Sequence, residues 1–392
     1  MRWKRKKRAL SDDSSSTWPG SLLLTGYATP IQDQPIHIRE TILKNWSASW
    51  FETCRILFKT FTLLGKSTWV QTSPIFKTIS GYPDVPLNWK PGPTEDFAFL
   101  QFKAQDAAAG PAVIDTDVVI VGSGCGGGVV AKVLAEAGHR VVVVEKGYYF
   151  PPSQLPMPQE QGVYHLYEGN GGIHSIDSSI TAVAGSCWGG GGTINWSVGL
   201  QTQGYVRHEW AEKHGLPFFE TAEFQKSLDR VCEVMGVSDV GVKQSHRGQM
   251  LLDGARNLGW HAKTCPQNSG GNEHWCGHCH FGCGSAEKQG PAVTWLPAAA
   301  KKGAQFIEGF AVDKVLWKEG SGDRQATGII GTWTSRDSNA GVTGPLTERT
   351  ARQVVISAKK VIISAGSLNS PLILNKSGLK VLDIVQLMIA NH

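Results

Sequence analysis

The feature that most constrains this chain is DTDVVIVGSGCGGGVVAKVLAEAGHRVVVVEKGYYF, residues 115–150. The short β-branched run DVVIV precedes Gly122, Gly124 and Gly127, which have G-x-G-x-x-G spacing, and VVAKVLAEAG then continues with helical character. A second apolar run, RVVVVEKG, contains Glu145 near its end. Continuous apolar runs of this length are typical of buried parallel strands. The stretch therefore predicts a strand–turn–helix–strand unit in an α/β fold.

The glycines of this unit have separate roles in a dinucleotide site. Gly122 permits the sharp turn, Gly124 lets the backbone approach a pyrophosphate, and Gly127 lets helix and strand pack closely. The helix N-terminus offers free N–H groups to the phosphates. Glu145, 23 residues after Gly122, is placed to accept hydrogen bonds from ribose hydroxyls. An acid there disfavours NADP, but the unit alone does not separate NAD from FAD.

A second glycine cluster distinguishes these two cofactors. Residues 189–192 are four consecutive glycines, and Thr-Ile-Asn follows at 193–195. A nicotinamide dehydrogenase has no evident need for a second loop, whereas FAD must also seat its isoalloxazine ring and ribityl chain. We predict that Gly191 and Gly192 lie against the ring and present N–H groups to it. Asn195 is predicted to hydrogen-bond the ring edge, although a turn or helix cap is the commoner use of Asn.

Charge and composition exclude other classes of function. The net charge of +5 includes six Lys and Arg residues within residues 2–8, which leaves +5 − 6 = −1 for the rest. The body of the chain is therefore not a nucleic-acid binder. We find no apolar run of about 18 residues and no secretory signal after the basic start. Eight cysteines do not make a disulfide scaffold, so an intracellular, reducing compartment is expected.

The segment WFETCRILFKTFTLLGKSTWV, residues 50–70, is apolar but interrupted by basic side chains. Such a segment can lie at a membrane surface. More often it packs as an ordinary amphipathic helix, which is our expectation here.

A cysteine cluster, HWCGHCHFGCG, places Cys276, Cys279 and Cys283 in C-x2-C-x3-C spacing among several histidines. This composition suggests a zinc or iron–sulfur site. Three clustered cysteines without a second C-x-x-C are an incomplete pattern, however. We expect a reduced structural loop without a metal, and leave metal binding and a disulfide open as alternatives.

Four segments together resemble the N-terminal part of a glucose–methanol–choline (GMC) oxidoreductase, and within that family the long-chain (fatty) alcohol oxidases. They span about residues 115–379 and comprise VVIVGSGCGGGVVAKVLAEAGHRVVVVEKG, GGGGTINWSVGLQTQGYVRHEWA, CGHCHFGCGSAEKQGPAVTWLPAAAKKGAQFIEGFAVDKVL and KKVIISAGSLNSPLILNKSGL. The second and fourth segments are specific to the family. The first is shared with many flavin and nicotinamide enzymes.

The resemblance implies a doubly wound, Rossmann-like FAD-binding domain with an inserted and here incomplete substrate domain. The implied organisation is an N-terminal extension (1–114), a first FAD-binding part (115–205), a partial substrate domain (206–289), a second FAD-binding part (290–379) and a divergent tail (380–392). The implied FAD contacts are Gly122, Gly124, Gly127, Ala365 and Gly366 at the diphosphate, Glu145 at the ribose, Gly191, Gly192 and Asn195 at the flavin, and the Val312 backbone at the adenine.

The resemblance also implies oxidation of a long-chain alcohol by O2 to an aldehyde and hydrogen peroxide. A flavin dehydrogenase with another acceptor and a non-catalytic FAD-binding remnant are the alternatives. In this family a histidine, with a His or Asn partner, takes the hydroxyl proton. No histidine here has a matching context, so the catalytic residues are unknown.

We expect a truncated chain that by itself binds FAD poorly or not at all and oxidises no alcohol. A membrane-associated or peroxisomal location is implied by the family alone, and the terminal ANH is not a peroxisomal address.

Overall fold

The structure is a computed structural model that describes residues 18–81, 89–104, 110–175, 179–274, 276–318, 324–337, 341–342 and 348–379. The basic segment 2–8 and the tail 380–392 lie outside these residues. The helices are α1 (Trp18–Thr25), α2 (Ile36–Ala48), α3 (Glu52–Thr72), α4 (Pro74–Ser80), α5 (Cys125–Glu136), α6 (Gln159–Leu166), α7 (Gly191–Ile194), α8 (Gly204–His214), α9 (Ala222–Val234), α10 (His246–Asn257), α11 (Trp295–Lys301) and α12 (Gly366–Lys376). The strands are β1 (Ala112–Val121), β2 (Val141–Val144), β3 (Ile173–His174), β4 (Thr181–Ala182), β5 (Val237–Ser238), β6 (Gln267–Asn268), β7 (Gln305–Ile307), β8 (Phe310–Trp317), β9 (Ala326–Thr334) and β10 (Ala351–Ile363).

The chain divides into two compact units, of which the smaller holds helices α1–α4 and the β3–β4 hairpin. Within it, the segment that we expected to pack as an amphipathic helix is helical, as α3. It contacts α2 through Trp46 and Phe61, whose ring centroids are 5.9 Å apart. Leu64 and Trp69 of α3 are nevertheless 60% and 50% exposed. No helix in the described part of the chain combines the length and apolarity that crossing a bilayer requires.

The larger unit is built on a six-stranded sheet with the order β7-β2-β1-β10-β9-β8. The first four strands in this order run parallel, whereas β9 and β8 complete the sheet as an antiparallel meander. All four valines of β2 are buried, as expected for a strand covered on both faces. The predicted α/β class with a doubly wound, parallel-stranded core is confirmed.

Alternate residues of β1 point into two different hydrophobic cores. Val119 and Val121 join a core that also contains residues of β8, β9 and α12. Val118 and Ile120 join the opposite core, where α5 and α11 cover the sheet. Because β1, β2 and β10 are parallel, their carboxyl ends meet at one edge. The predicted residues Gly122, Glu145 and Ala365 come just after these three ends.

Candidate active site

The turn after β1 requires glycine at two positions for reasons internal to the fold. Gly122 has a φ of +105°, and a Cβ there would lie 2.2 Å from the Ser364 carbonyl oxygen. A Cβ on Gly127 would lie 1.9 Å from the Gly122 carbonyl oxygen. Gly124 is different, because the nearest atom to its Cβ would be the Gly190 Cα at 4.0 Å. The protein thus leaves open space beside Gly124, where a cofactor would approach.

Glu145 connects the two glycine loops. Its carboxylate accepts hydrogen bonds from the Ser123 N–H (3.0 Å) and hydroxyl (2.8 Å) and from the Gly147 N–H (2.9 Å). The Ser123 Oγ in turn accepts from the Gly189 N–H at 3.0 Å. A carboxylate offers about four lone-pair directions, so the buried Glu145 keeps about one for a ribose hydroxyl. Ser123, an unspecified position of the glycine motif, was not predicted to have a role.

We expect Glu145→Ala to destabilise the chain by about 3 kcal/mol, since three buried donors lose a charged acceptor. Glu145→Gln keeps one oxygen in place but turns an NH2 group toward a donor, so its expected cost is smaller, about 1–2 kcal/mol. Urea denaturation of both variants measures these losses. Glu136→Ala, at an exposed helix position with an i,i+4 partner, is the matched control. Equal stability of Glu145→Ala and this control would contradict the assigned network.

The second glycine loop lies against the first. A Cβ on Gly190 would come within 3.0 Å of the Gly124 Cα. The N–H groups of Gly190, Gly192 and Thr193 donate to carbonyls within the loop, at 2.8, 3.1 and 3.0 Å. The Gly192 N–H is thus already hydrogen-bonded within the loop, and contact of Gly191 and Gly192 with a flavin ring stays a prediction. The physical reason is that the loop closes into the short helix α7, which uses its own amides. Glycine at position 192 instead leaves room for Pro291, because a Cβ on Gly192 would lie 2.2 Å from the Pro291 Cδ.

Asn195 ends this loop, and Lys288 fixes its backbone. The Lys288 ammonium donates to the carbonyls of Thr193 (2.7 Å), Asn195 (2.9 Å) and Cys279 (2.6 Å). Lys288 is only 3% exposed, and burial lowers the pKa of its ammonium. The Asn195 Oδ1 is buried and has no hydrogen-bond partner among the described residues. An acceptor in this state is suited to an N–H donor of a ligand. The sequence did not predict a structural role for Lys288. The only indication in the sequence is a charged residue in a segment of mostly small residues.

Ala365 and Gly366 also lie at this edge. A Cβ on Gly122 would lie 3.1 Å from the Ala365 Cα, and Gly366 begins α12 immediately after it. Val312 lies on β8, two residues beyond Phe310, whose N–H donates to the Glu145 carbonyl at 2.8 Å. The individual contacts of these residues with FAD stay predictions.

The cysteine loop lies on the other side of Lys288. His274 Nε2 is 3.1 Å from Cys279 Sγ and 3.8 Å from Cys276 Sγ, and its Nδ1 is 2.7 Å from a Glu287 carboxylate oxygen. The hydrogen bond from the Cys276 thiol, reinforced by His274, lowers the pKa of Cys279. All eight cysteines are free thiols, Cys276, Cys279 and Cys283 included. The sequence pattern did not predict that His274 joins two of them.

Three observations make the site suitable for a dinucleotide: the open space at Gly124, the spare acceptor capacity of Glu145, and an Asn195 Oδ1 that has no partner in the described part of the chain. The GMC oxidoreductase model matches residues 163–385, and an FAD binding domain model matches residues 115–151. FAD is the cofactor of this domain.

Several curated proteins are similar to this chain. Long-chain-alcohol oxidase FAO1 of Arabidopsis thaliana is 28% identical over 92% of the chain and 52% of its own length. Long-chain-alcohol oxidase FAO4A of the same plant is 31% identical over 93% of the chain and 56% of its own length. Long-chain-alcohol oxidase FAO3 is 36% identical over 68% of the chain and 35% of its own length. The chain thus spans about half the length of the first two relatives. A crystal structure of formate oxidase aligns with 69% of this chain and 48% of its own, at a TM-score of 0.45 and 16% identity, too distant to bear on function. The extent of the family match shows that the chain belongs to the GMC oxidoreductase family.

Proposed function

We propose that this chain forms the FAD-binding part of an enzyme that oxidises long-chain alcohols with O2, giving an aldehyde and hydrogen peroxide. The observation that supports the substrate class is that the proteins aligned with 92% and 93% of the chain are long-chain-alcohol oxidases. The linkage of both glycine loops through Ser123 and Glu145 supports a flavin-dependent reaction, because one extended cofactor can span the two loops.

The chemistry that bound FAD supplies is the acceptance of two electrons from the alcohol carbon and their transfer to oxygen. The chain's own residues bind and orient it. The N-terminus of α5, next to Gly124, provides N–H groups and a positive dipole end for the phosphates. Glu145 accepts from a ribose hydroxyl. The Asn195 Oδ1 would accept a hydrogen bond from the flavin, and Lys288 holds the Asn195 backbone in place.

A base must also take the hydroxyl proton as the carbon is oxidised. We assign this role to no described residue. The test therefore uses the FAD-loaded chain both alone and mixed with the separately expressed C-terminal part of Arabidopsis thaliana long-chain-alcohol oxidase FAO1. Dodecanol is the substrate, and dodecane, which lacks the CH–OH group, is the control.

We expect the mixture to form aldehyde and peroxide in equal amounts from dodecanol only, and the chain alone to form neither. Reduction of an artificial dye without peroxide would replace the oxidase proposal with a dehydrogenase. Both samples are also incubated with dodecanol without oxygen. If the protein-bound flavin stays oxidised in both, the chain is a non-catalytic FAD-binding protein.

A further inference from the structure

The cluster formed by His274, Cys276 and Cys279 has the dimensions of a metal site. One ligand atom of each residue, Nε2 and two Sγ, lies within 4.8 Å of both others. The two nitrogen–sulfur distances are 3.1 and 3.8 Å. With Zn–S near 2.3 Å and Zn–N near 2.0 Å, ligands of a tetrahedral zinc ion are roughly 3.5–3.8 Å apart. An ion at the centre of this cluster therefore requires movements of only a few tenths of an ångström to about one.

The histidine of this cluster is oriented by a carboxylate. Glu287 accepts at 2.7 Å from the Nδ1 side of His274, and the His274 side chain is 3% exposed. The Ser285 hydroxyl donates to the same Glu287 oxygen at 3.0 Å, which fixes that carboxylate. Metal-binding histidines are usually held in this way, with the second ring nitrogen bonded to a carboxylate or carbonyl. Nε2 is consequently directed at the two sulfur atoms.

The local backbone and charge also suit a divalent ion. Gly277, with φ of +67°, forms the turn between the cysteines and brings both sulfurs to one side. Two thiolates neutralise one divalent cation, and thiolate with imidazole selects soft or borderline metals over Mg²⁺ or Ca²⁺. The negative charge of Glu287 partly offsets the positive charge of the nearby Lys288 ammonium.

The fourth position of such a site is open. A cavity of about 360 Å³ adjoins the cluster and is lined by His274, Cys279, Trp196, Ser197, Gln267, Gly277 and His280. Cys283 Sγ is engaged elsewhere, with the Lys288 N–H at 3.4 Å and Ser285 Oγ at 3.5 Å. The cavity gives a metal an entry path and leaves the fourth place to solvent.

We propose that His274, Cys276 and Cys279 bind a thiophilic divalent cation, with zinc as the expected metal and a solvent molecule as the fourth ligand. A second group in the described residues, His208, Glu212 and Glu220, consists of exposed side chains and contains no thiolate ligand. It supports no comparable site.

The test is metal binding by the reduced full chain. Metal analysis after dialysis against zinc is expected to show one equivalent per chain. Cobalt is expected to give a thiolate-to-metal charge-transfer band and the visible bands of four-coordinate geometry. These readouts are independent of any flavin reaction. His274→Gln, Cys276→Ser and Cys279→Ser should each weaken zinc binding at least tenfold, and Glu287→Gln roughly tenfold.

Two cysteine variants serve as controls. Cys265→Ser alters an exposed thiol outside the cluster, and Cys283→Ser alters the neighbouring thiol that we exclude as a ligand; both should keep the zinc. Circular dichroism confirms that each variant is folded. A reduced wild-type chain that binds neither zinc nor cobalt would refute the proposal. So would a brown chromophore with acid-labile sulfide, which indicates an iron–sulfur cluster, or zinc that all three ligand variants retain.

Discussion

Lys288→Met is expected to destabilise the chain by about 3 kcal/mol. Three carbonyl oxygens, those of Thr193, Asn195 and Cys279, lose a charged donor at 2.6–2.9 Å. Each charge-assisted hydrogen bond contributes about 1.5–3 kcal/mol, and relief from burying the ammonium offsets part of their sum. Methionine preserves the length and the apolar packing of the stem. Urea denaturation measures the loss, and FAD titration is expected to show weaker binding because Asn195 is released.

The control for this prediction is Lys213→Met. Lys213 is 71% exposed at the side chain and pairs only at the surface with Glu209, so the change should stay within about 0.5 kcal/mol. If Lys288→Met were as stable as Lys213→Met, the buried ammonium would not be holding the second glycine loop and the cysteine loop together. Retained stability with weakened FAD binding would limit its role to positioning the flavin-side loop.

The parts of the site that could be predicted are those in which one local segment carries both the structure and the role. The β1–α5–β2 unit is such a segment: its apolar runs, its glycine spacing and Glu145 lie within one stretch of chain. The strand β1 follows from its continuous apolar run, and the helix that begins at Cys125 follows from the helical character of the segment after the glycines. The doubly wound class followed from this unit and from the family resemblance.

The parts that could not be predicted depend on partners distant in sequence or on irregular backbone. Ser123 has its role only because Gly189 comes to lie beside it. The glycine loop at residues 189–192 closes into the short helix α7, and its glycine-rich composition does not reveal this. His274 and Glu287 meet across an irregular loop without periodicity. Lys288 resembled any surface lysine until its three carbonyl partners were known.

Gly124→Ala and Gly127→Ala are expected to have opposite consequences, although the residues stand three positions apart in one motif. A Cβ on Gly127 would lie 1.9 Å from the Gly122 carbonyl oxygen. Neither backbone can yield without separating α5 from β1, so a loss of about 3 kcal/mol or more is expected. Gly124 has extended dihedrals, φ −65° and ψ −171°, which alanine adopts readily. Its stability should change by only about 0.5 kcal/mol, as a weaker helix cap is offset by reduced unfolded-state entropy.

The Gly124→Ala chain should instead lose affinity for FAD, by roughly 10- to 100-fold or about 1.4–2.8 kcal/mol. The added methyl group occupies the space through which the pyrophosphate approaches the backbone. Titration with FAD, followed by flavin fluorescence and circular dichroism, separates this loss from unfolding and measures weak as well as tight binding. Gly254→Ala, inside α10 with nothing within 4 Å of its Cβ, is the control and should bind FAD like the wild-type chain. Unchanged affinity of Gly124→Ala would mean that the pyrophosphate does not lie at this turn, since no atom of the protein itself requires a glycine there.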